Sequence, residues 1–254
     1  MSKVNRARKS AAFAPLRNLT LLEELVIKLK GRSPDVPGLG VFHGRSGDGK
    51  SRAAAWVGAS DHMAYYVEGT DFWTPRAMLR ACVDAMGIVM LPHASNNDLA
   101  AKIAEELETS RRPLIIDEAD HLAKKDMIDK VRALHDMAAP GTASIVLIGE
   151  EGLPQKLQRY ERMHRRILDF VQAEPCDLDD ARQLAGLYCP RVVVADDLLQ
   201  QLLDQTYRST GRVAVNLVAI ADFAAGEGLR AIDAAGYAGQ RINTGAAPAV
   251  RRFA

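Results

Sequence analysis

Apolar residues along this chain occur in two patterns, short continuous runs and stretches in which they recur every three or four positions. The run at residues 114–116 lacks the alternation of a half-exposed strand, so it predicts a strand buried on both faces, as in a parallel sheet. The recurring positions predict amphipathic helices between the strands. Predicted strands cover residues 39–42, 63–67, 114–116, 144–149 and 167–171, and predicted helices cover 19–29, 52–57, 75–86, 97–109, 125–137 and 155–166.

The pattern changes after residue 176, where helices are predicted at 179–187, 195–203 and 211–224 with no strand between them. A helical module therefore follows an α/β part. We expect a basic arm and helix over 1–38, the α/β domain over 39–175, the helical module over 176–238 and a frayed tail over 239–254. The expected fold is a three-layer α/β domain with a five-stranded parallel sheet, followed by a small helical module.

Composition narrows the class of protein only slightly. Hydrophobic residues make up 48% and charged residues 26%, as in ordinary soluble domains, and the net charge of +1 gives no global sign of a nucleic-acid partner. Cys82, Cys176 and Cys189 form no C-x-x-C pair, which argues against a zinc site or a disulfide framework. No apolar run approaches the roughly 20 residues that span a bilayer. We expect a soluble cytoplasmic protein without a membrane partner.

The strongest motif lies between the first predicted strand and the helix after it. Its residues match G-x-x-x-x-G-K-[ST], a loop whose glycines let backbone N–H groups surround phosphates. Lys50 is expected to reach the β- and γ-phosphates and Ser51 to bind Mg²⁺, so ATP and Mg²⁺ are the predicted cofactors. The motif consists of Gly44, Arg45, Ser46, Gly47, Asp48, Gly49, Lys50 and Ser51.

A second motif ends the strand at 114–116, where the chain continues with Asp117 and Glu118. Ligands bind at the carboxyl ends of strands in open α/β sheets, so both carboxylates are expected at the site. Asp117 is expected to hold Mg²⁺, directly or through water. Glu118 is expected to orient and deprotonate an attacking water.

Together these motifs and their order resemble the AAA+ ATPases. The spacing from phosphate loop to acidic strand resembles the short-insert branch that serves DNA transposition, the family of the phage Mu B protein and related transposon ATPase subunits. The resemblance covers about residues 39–225 and makes the helical module a lid. It implies an ATPase that assembles on double-stranded DNA as a homo-oligomeric ring or filament and selects targets for a transposase.

The resemblance also implies roles for particular arginines. Arg166 matches the arginine that one subunit inserts into its neighbour's γ-phosphate site, with Arg162 and Arg165 as rivals, and a solvated helix face is the alternative. Arg212 matches the lid arginine that senses nucleotide. One departure stands out, because Glu150 occupies the place of a polar residue that faces the γ-phosphate. Either that sensor is altered and hydrolysis is slow, or the strand register differs by a residue or two.

DNA contacts are expected from the ATPase core, since 38 residues precede the first strand and leave no room for a separate DNA-binding module. Each candidate alone is also typical of plain surface. The basic arm is either a solvated tail or a phosphate contact. The candidates are Thr74, Arg76, Arg80, Lys124 and Lys125.

Three other functions fit the same motifs. The protein could be an AAA+ helicase loader or protein remodeller, a P-loop kinase of small molecules, or a nucleotide-gated binding module with little turnover. Glu118 weakens the kinase hypothesis because it suits activation of water.

Overall fold

The structure is a computed structural model that describes residues 16–247, apart from the side chain of Lys125. The basic residues Lys3, Arg6, Arg8 and Lys9 of the expected arm lie outside the described residues. The chain divides into two compact units. One contains residues 18–45 and 50–173, and the other contains residues 16–17, 46–49 and 174–247 of the described chain.

The first unit is built on a parallel sheet, and its strand order is β2-β3-β4-β1-β5. The five-stranded parallel sheet predicted from the sequence is thereby confirmed. Its strands are β1 (Leu39–His43), β2 (Tyr65–Glu68), β3 (Leu114–Asp117), β4 (Ile145–Gly149) and β5 (Ile167–Gln172). Its helices are α1 (Arg17–Lys30), α2 (Lys50–Ala59), α3 (Pro75–Met86), α4 (Asn96–Ser110), α5 (Lys125–Met137), α6 (Leu153–Gln158) and α7 (Glu161–His164).

Helices cover both faces of this sheet, which explains the continuous apolar runs. Ile115 and Ile148 belong to a core that includes residues of α1 and α2, whereas Ile116 and Leu147 belong to a core that includes residues of α3, α4 and α5. Successive strand residues point to opposite faces, so each strand supplies side chains to both cores. All of β3 and β4 is buried as a result.

The second unit is mainly helical. Its helices are α8 (Leu178–Tyr188), α9 (Asp196–Gln205) and α10 (Thr210–Gly226), and its strands are β6 (Val193–Val194) and β7 (Ala231–Ile232). Asp177 begins α8 with a capping box completed by Asp180. Leu198, Leu202 and Leu217 lie in the core that the three helices enclose.

Three expectations need correction. The helix expected over 155–166 is two short helices, since the chain leaves helical geometry at Tyr160 and the Tyr160 hydroxyl donates to Ala123 O at 3.1 Å. The helical module contains the parallel pair β6–β7, where no strand was expected. The expected frayed tail is hydrogen-bonded at Asn243, whose N–H donates to Asn216 Oδ1 at 2.7 Å.

Candidate nucleotide-binding site

The phosphate loop connects β1 directly to α2. Gly47 and Gly49 have φ values of +89° and +84°, a backbone conformation in which a side chain would be strained. Gly44 N donates to Gly149 O at 3.3 Å, which ties the start of the loop to the end of β4. The loop therefore has the strand–loop–helix context and the glycine conformations that a phosphate-binding backbone requires.

Lys50 and Ser51 stand at the first turn of α2. The Lys50 ammonium donates to Gly44 O and Arg45 O at 2.8 Å each, so it lies against carbonyls of its own loop. Ser51 is exposed, and its hydroxyl makes no hydrogen bond with the described residues. A bound phosphate would offer the ammonium an anionic partner in place of these neutral carbonyls.

Asp117 is the last residue of β3 and is only 2% exposed. Its Oδ1 accepts from Glu118 N and its Oδ2 accepts from the Tyr66 hydroxyl, both at 2.9 Å. Mg²⁺ bound with nucleotide takes one or two protein oxygens and fills its other positions with phosphate and water. The hydroxyl of Ser51 and the carboxylate of Asp117 fit that requirement.

Glu118 leaves the strand with φ +51° and ψ +39°, the left-handed region, which is uncommon for a residue with a side chain. Burial raises the pKa of its carboxyl group, and the negative charges of Asp117 and Glu150 raise it further. A carboxylate with a raised pKa is a better proton acceptor. Glu118 therefore has the chemistry expected of a group that activates water.

Glu150 follows β4 directly, because Gly149 pairs with His43 as the last residue of that strand. The strand therefore ends where the sequence predicted, and Glu150 is the first residue after it. Glu150 N donates to Asp120 Oδ2 at 2.6 Å, and Lys156 Nζ donates to Asp120 Oδ1 at 2.7 Å. Asp120 therefore fixes the backbone at Glu150, a role that the sequence did not indicate.

Comparison with known proteins agrees with this geometry. Residues 34–157 match the family described as AAA domain. The chain has the AAA+ P-loop fold. No curated protein matches the sequence. Several solved AAA+ structures are similar at low identity, which shows the fold alone.

Three of these structures cover most of this chain. Cdc6p from Pyrobaculum aerophilum is 17% identical over 89% of this chain and 67% of its own, with a TM-score of 0.62. The Aeropyrum pernix ORC2 protein, solved as ADPNP-ADP complexes, is 15% identical over 91% of this chain and 69% of its own, with a TM-score of 0.66. The Aeropyrum pernix ORC1 protein, solved in complex with DNA, is 19% identical over 86% of this chain and 62% of its own, with a TM-score of 0.56.

The arginine candidates differ in how they are held. Arg166 Nε donates to Asp136 Oδ1 at 2.8 Å, and Asp136 also accepts from Arg132 at 2.7 Å. Burial opposes ionisation of Asp136, but the hydrogen bonds from Arg166 and His135 outweigh it and lower its pKa. Arg166 and Asp136 line a cavity of about 410 Å³ together with Arg32, His135 and Arg165.

The two rival arginines lie on the short helix before Arg166. Arg165 pairs with Glu161 on the surface. Arg162 is exposed and makes no hydrogen bond or ion pair with the described residues. The choice among the three arginines stays a prediction, with Arg166 restrained and Arg162 unrestrained.

Arg212 lies in the first turn of α10 and is held by the chain that follows β7. Its guanidinium donates to Thr244 O at 2.5 Å, and Asn216 Nδ2 donates to Asn243 O at 3.0 Å. A Cβ atom added at Gly245 would lie 2.6 Å from the guanidinium carbon. The sequence missed this contact, and the nucleotide-sensing role of Arg212 stays a prediction.

The DNA candidates share a neighbourhood but have different local roles. Thr74 caps α3 by accepting from Ala77 N at 3.2 Å. Arg76 donates to Ala94 O at 2.9 Å, and Arg80 donates to Pro92 O at 2.8 Å. These two arginines therefore hold the loop between α3 and α4.

The remaining candidates begin α5. Lys124 is exposed, and its ammonium group makes no hydrogen bond or ion pair with the described residues. The side chain of Lys125 lies outside the described part of the structure.

Of the helices in residues 16–247, none is both long enough and apolar enough to cross a bilayer.

Proposed function

We propose that this AAA+ protein hydrolyses ATP, binds duplex DNA largely without sequence preference, assembles on it as a homo-oligomeric ring or filament, and activates a transposase during target selection. The observation that carries the proposal is the buried Asp117 with Glu118 behind it, at the carboxyl edge of the same sheet that carries the phosphate loop. That arrangement suits water attack on a phosphate.

In this proposal each side chain at the site has one task. Lys50 moves from its loop carbonyls to the β- and γ-phosphates. Asp117 and Ser51 hold Mg²⁺, which when bound neutralises phosphate charge. Glu118 takes the proton of the attacking water. Arg166 of a neighbouring subunit places a positive charge at the γ-phosphate, and Arg212 senses the nucleotide from the subunit that binds it.

Support for DNA binding comes from two segments that meet at one edge of the first unit. His121 Nδ1 lies 2.8 Å from Asp71 Oδ1, so the loop that leads to Thr74 and Arg76 adjoins the turn that leads to Lys124. Phe72, in the same loop, is 93% exposed. Lysine and arginine contacts to phosphates give affinity without sequence preference, which is the expected mode.

Electron microscopy with ATP and duplex DNA tests the assembly. Rings or filaments on DNA are expected with ATP and not with the Lys50→Ala variant, whose loop lacks the phosphate-binding ammonium. Wild-type protein that stays dispersed with ATP and DNA would refute the proposal.

The transposition role needs its own measurement. Adding the protein and ATP to a strand-transfer reaction with a purified DNA transposase should raise insertion into DNA that the protein coats. Unchanged insertion would remove the transposase from the proposal and leave the DNA-binding ATPase.

Glu150 favours a second candidate, a nucleotide-gated DNA-binding module with little turnover. A carboxylate near the γ-phosphate repels it unless a cation intervenes. ATP-dependent DNA binding together with very slow hydrolysis in the assembled state would favour this candidate. Faster hydrolysis by Glu150→Asn would identify Glu150 as the residue that slows turnover.

A further inference from the structure

Tyr66 is the side chain next to the candidate site to which the sequence assigned no task. It lies on β2, which pairs with β3 so that Tyr66 is opposite Ile115 and Glu68 is opposite Asp117. Asp117 lies two residues beyond Ile115 on β3, and the Tyr66 hydroxyl donates to its Oδ2 at 2.9 Å. Aromatic residues in a buried strand are usually core, but this one carries a polar group to the carboxylate assigned to Mg²⁺.

The two oxygens of Asp117 have separate donors. Glu118 N donates to Oδ1 from the following residue, and the Tyr66 hydroxyl donates to Oδ2 from the neighbouring strand. A carboxylate held at both oxygens cannot rotate freely about its side-chain bonds. Each oxygen accepts about two hydrogen bonds or metal contacts, so both retain capacity for a ligand.

Nearby backbone contacts make the donor rigid. Gly69 N donates to Asp117 O at 2.8 Å just past β2, so the two strand ends are linked on both sides of the Tyr66–Asp117 bond. Tyr66 is itself half-buried, which limits competition from water. A hydroxyl on a paired strand fixes the orientation of a carboxylate more precisely than a hydroxyl on a loop does.

We infer that Tyr66 is a positioning residue for Mg²⁺, which sets the orientation in which Asp117 presents its carboxylate to the ion. The inference rests on the proposed function, since it assumes that Asp117 holds Mg²⁺ with ATP. Outer hydrogen-bond partners of metal ligands typically change metal affinity by about 10–100-fold when removed. Tyr66→Phe removes the hydroxyl and keeps the ring in the core.

The neighbouring Tyr65 offers a matched control. It lies on the same strand, and its hydroxyl donates to Glu106 Oε1, away from Asp117. Tyr65→Phe therefore also loses one buried-strand hydroxyl and one carboxylate hydrogen bond. The carboxylate that loses its donor is that of Glu106 and not that of Asp117.

The experiment measures binding of a fluorescent ATP analogue at a series of Mg²⁺ concentrations and in EDTA. Tyr66→Phe should need about tenfold more Mg²⁺ for half of the Mg²⁺-dependent gain in affinity, with binding in EDTA unchanged. Tyr65→Phe should match wild type in both. A wild-type Mg²⁺ dependence for Tyr66→Phe overturns the inference, and so does an equal shift in Tyr65→Phe.

Failure of the proposed function has a different signature. If wild-type protein bound the analogue equally with Mg²⁺ and EDTA, or did not bind it, the assignment of Asp117 and of the nucleotide site would be wrong and the inference would fall with it. If wild type depends on Mg²⁺ and Asp117→Asn removes that dependence, the site stands. The result for Tyr66→Phe then decides the inference alone.

Discussion

Replacing Arg166 by alanine gives the sharpest test of the proposed assembly, because the structure separates its effect on stability from its effect on rate. Arg166 is 39% exposed and pairs with Asp136, which keeps its partners Arg132 and His135 when Arg166 is removed. Half-exposed ion pairs contribute at most about 1 kcal/mol. The variant should therefore stay folded and bind ATP as wild type does.

The effect on rate should be far larger if Arg166 acts in a neighbour's site. Loss of such an arginine slows P-loop enzymes by about 10³-fold or more, which corresponds to about 4 kcal/mol of barrier. A stability loss of 1 kcal/mol cannot produce that change in a protein that remains folded. Turnover per subunit, measured on saturating DNA where subunits are aligned, should fall by this factor.

Mixing two inactive variants decides whether the arginine acts between subunits. Arg166→Ala keeps a complete nucleotide site, and Lys50→Ala keeps its Arg166. Mixed assemblies should regain hydrolysis at interfaces where the Lys50→Ala subunit supplies the arginine. Arg165→Ala, assayed in the same way, tests the rival arginine that precedes Arg166 and pairs with Glu161 on the surface.

Two results would contradict this reasoning. Near wild-type turnover by Arg166→Ala on DNA would exclude Arg166 from catalysis and leave it only as the ion-pair partner of Asp136. Failure of co-assembled, folded variants to recover activity would exclude action between subunits. Recovery with Arg162→Ala in place of Arg166→Ala would move the role to Arg162, the unrestrained arginine.

Three further predictions concern the site and the DNA surface. Glu118→Gln should bind ATP and DNA but lose hydrolysis, because an amide cannot take the proton; a wild-type rate of phosphate release would exclude Glu118 as the base. DNA affinity in fluorescence titrations should fall steeply with salt concentration. Lys124→Ala should reduce the slope of log affinity against log salt concentration by about 1, whereas Lys28→Ala should leave it unchanged. Equal slopes for the two variants would exclude Lys124 from phosphate contact. Gly69→Ala should lower the free energy of unfolding in urea by about 1–3 kcal/mol, because the added Cβ would lie 2.8 Å from Glu118 O. Gly186→Ala, whose added Cβ meets no neighbouring atom within 4 Å, should not lower it. Equal unfolding midpoints for the two variants would refute the clash.

Local signals were enough to predict the sheet and the phosphate loop. Strands β1, β3 and β4 are continuous apolar runs, and the loop needs only glycines and the lysine at fixed spacing. Strands β6 and β7 have two residues each, too few for any pattern. The break at Tyr160 depends on a hydrogen bond to Ala123, which the sequence of the helix itself does not reveal.

The missed site residues depend on contacts between distant parts of the chain. Tyr66 meets Asp117 because β2 and β3 pair in a particular register, and an aromatic residue in an apolar strand gives no sign of this. Asp136 meets Arg166 across 30 positions, and its carboxylate looks like any other on an exposed helix face. Sequence patterns predicted the charged groups of the candidate site, whereas the contacts that restrain them become visible only in the fold.

The balance of charge at the site gives a reason for hydrolysis to depend on assembly. The carboxylates of Asp117, Glu118, Asp120 and Glu150 lie at the carboxyl ends of β3 and β4, and the pKa of Glu118 is raised partly by two of the others. Lys156 is paired with Asp120, so its charge is already engaged.

Bound ATP would add further negative charge to this region, and the carboxylate of Glu150 would add to the repulsion. Mg²⁺ and Lys50 offset part of that charge when the nucleotide binds. A transition state that spreads charge over the γ-phosphate oxygens needs a further cation, and an arginine from a neighbouring subunit provides one. Under the proposed function, Glu150 would therefore suppress hydrolysis by the isolated subunit, and subunits aligned on DNA would overcome this suppression, so that turnover would follow target binding.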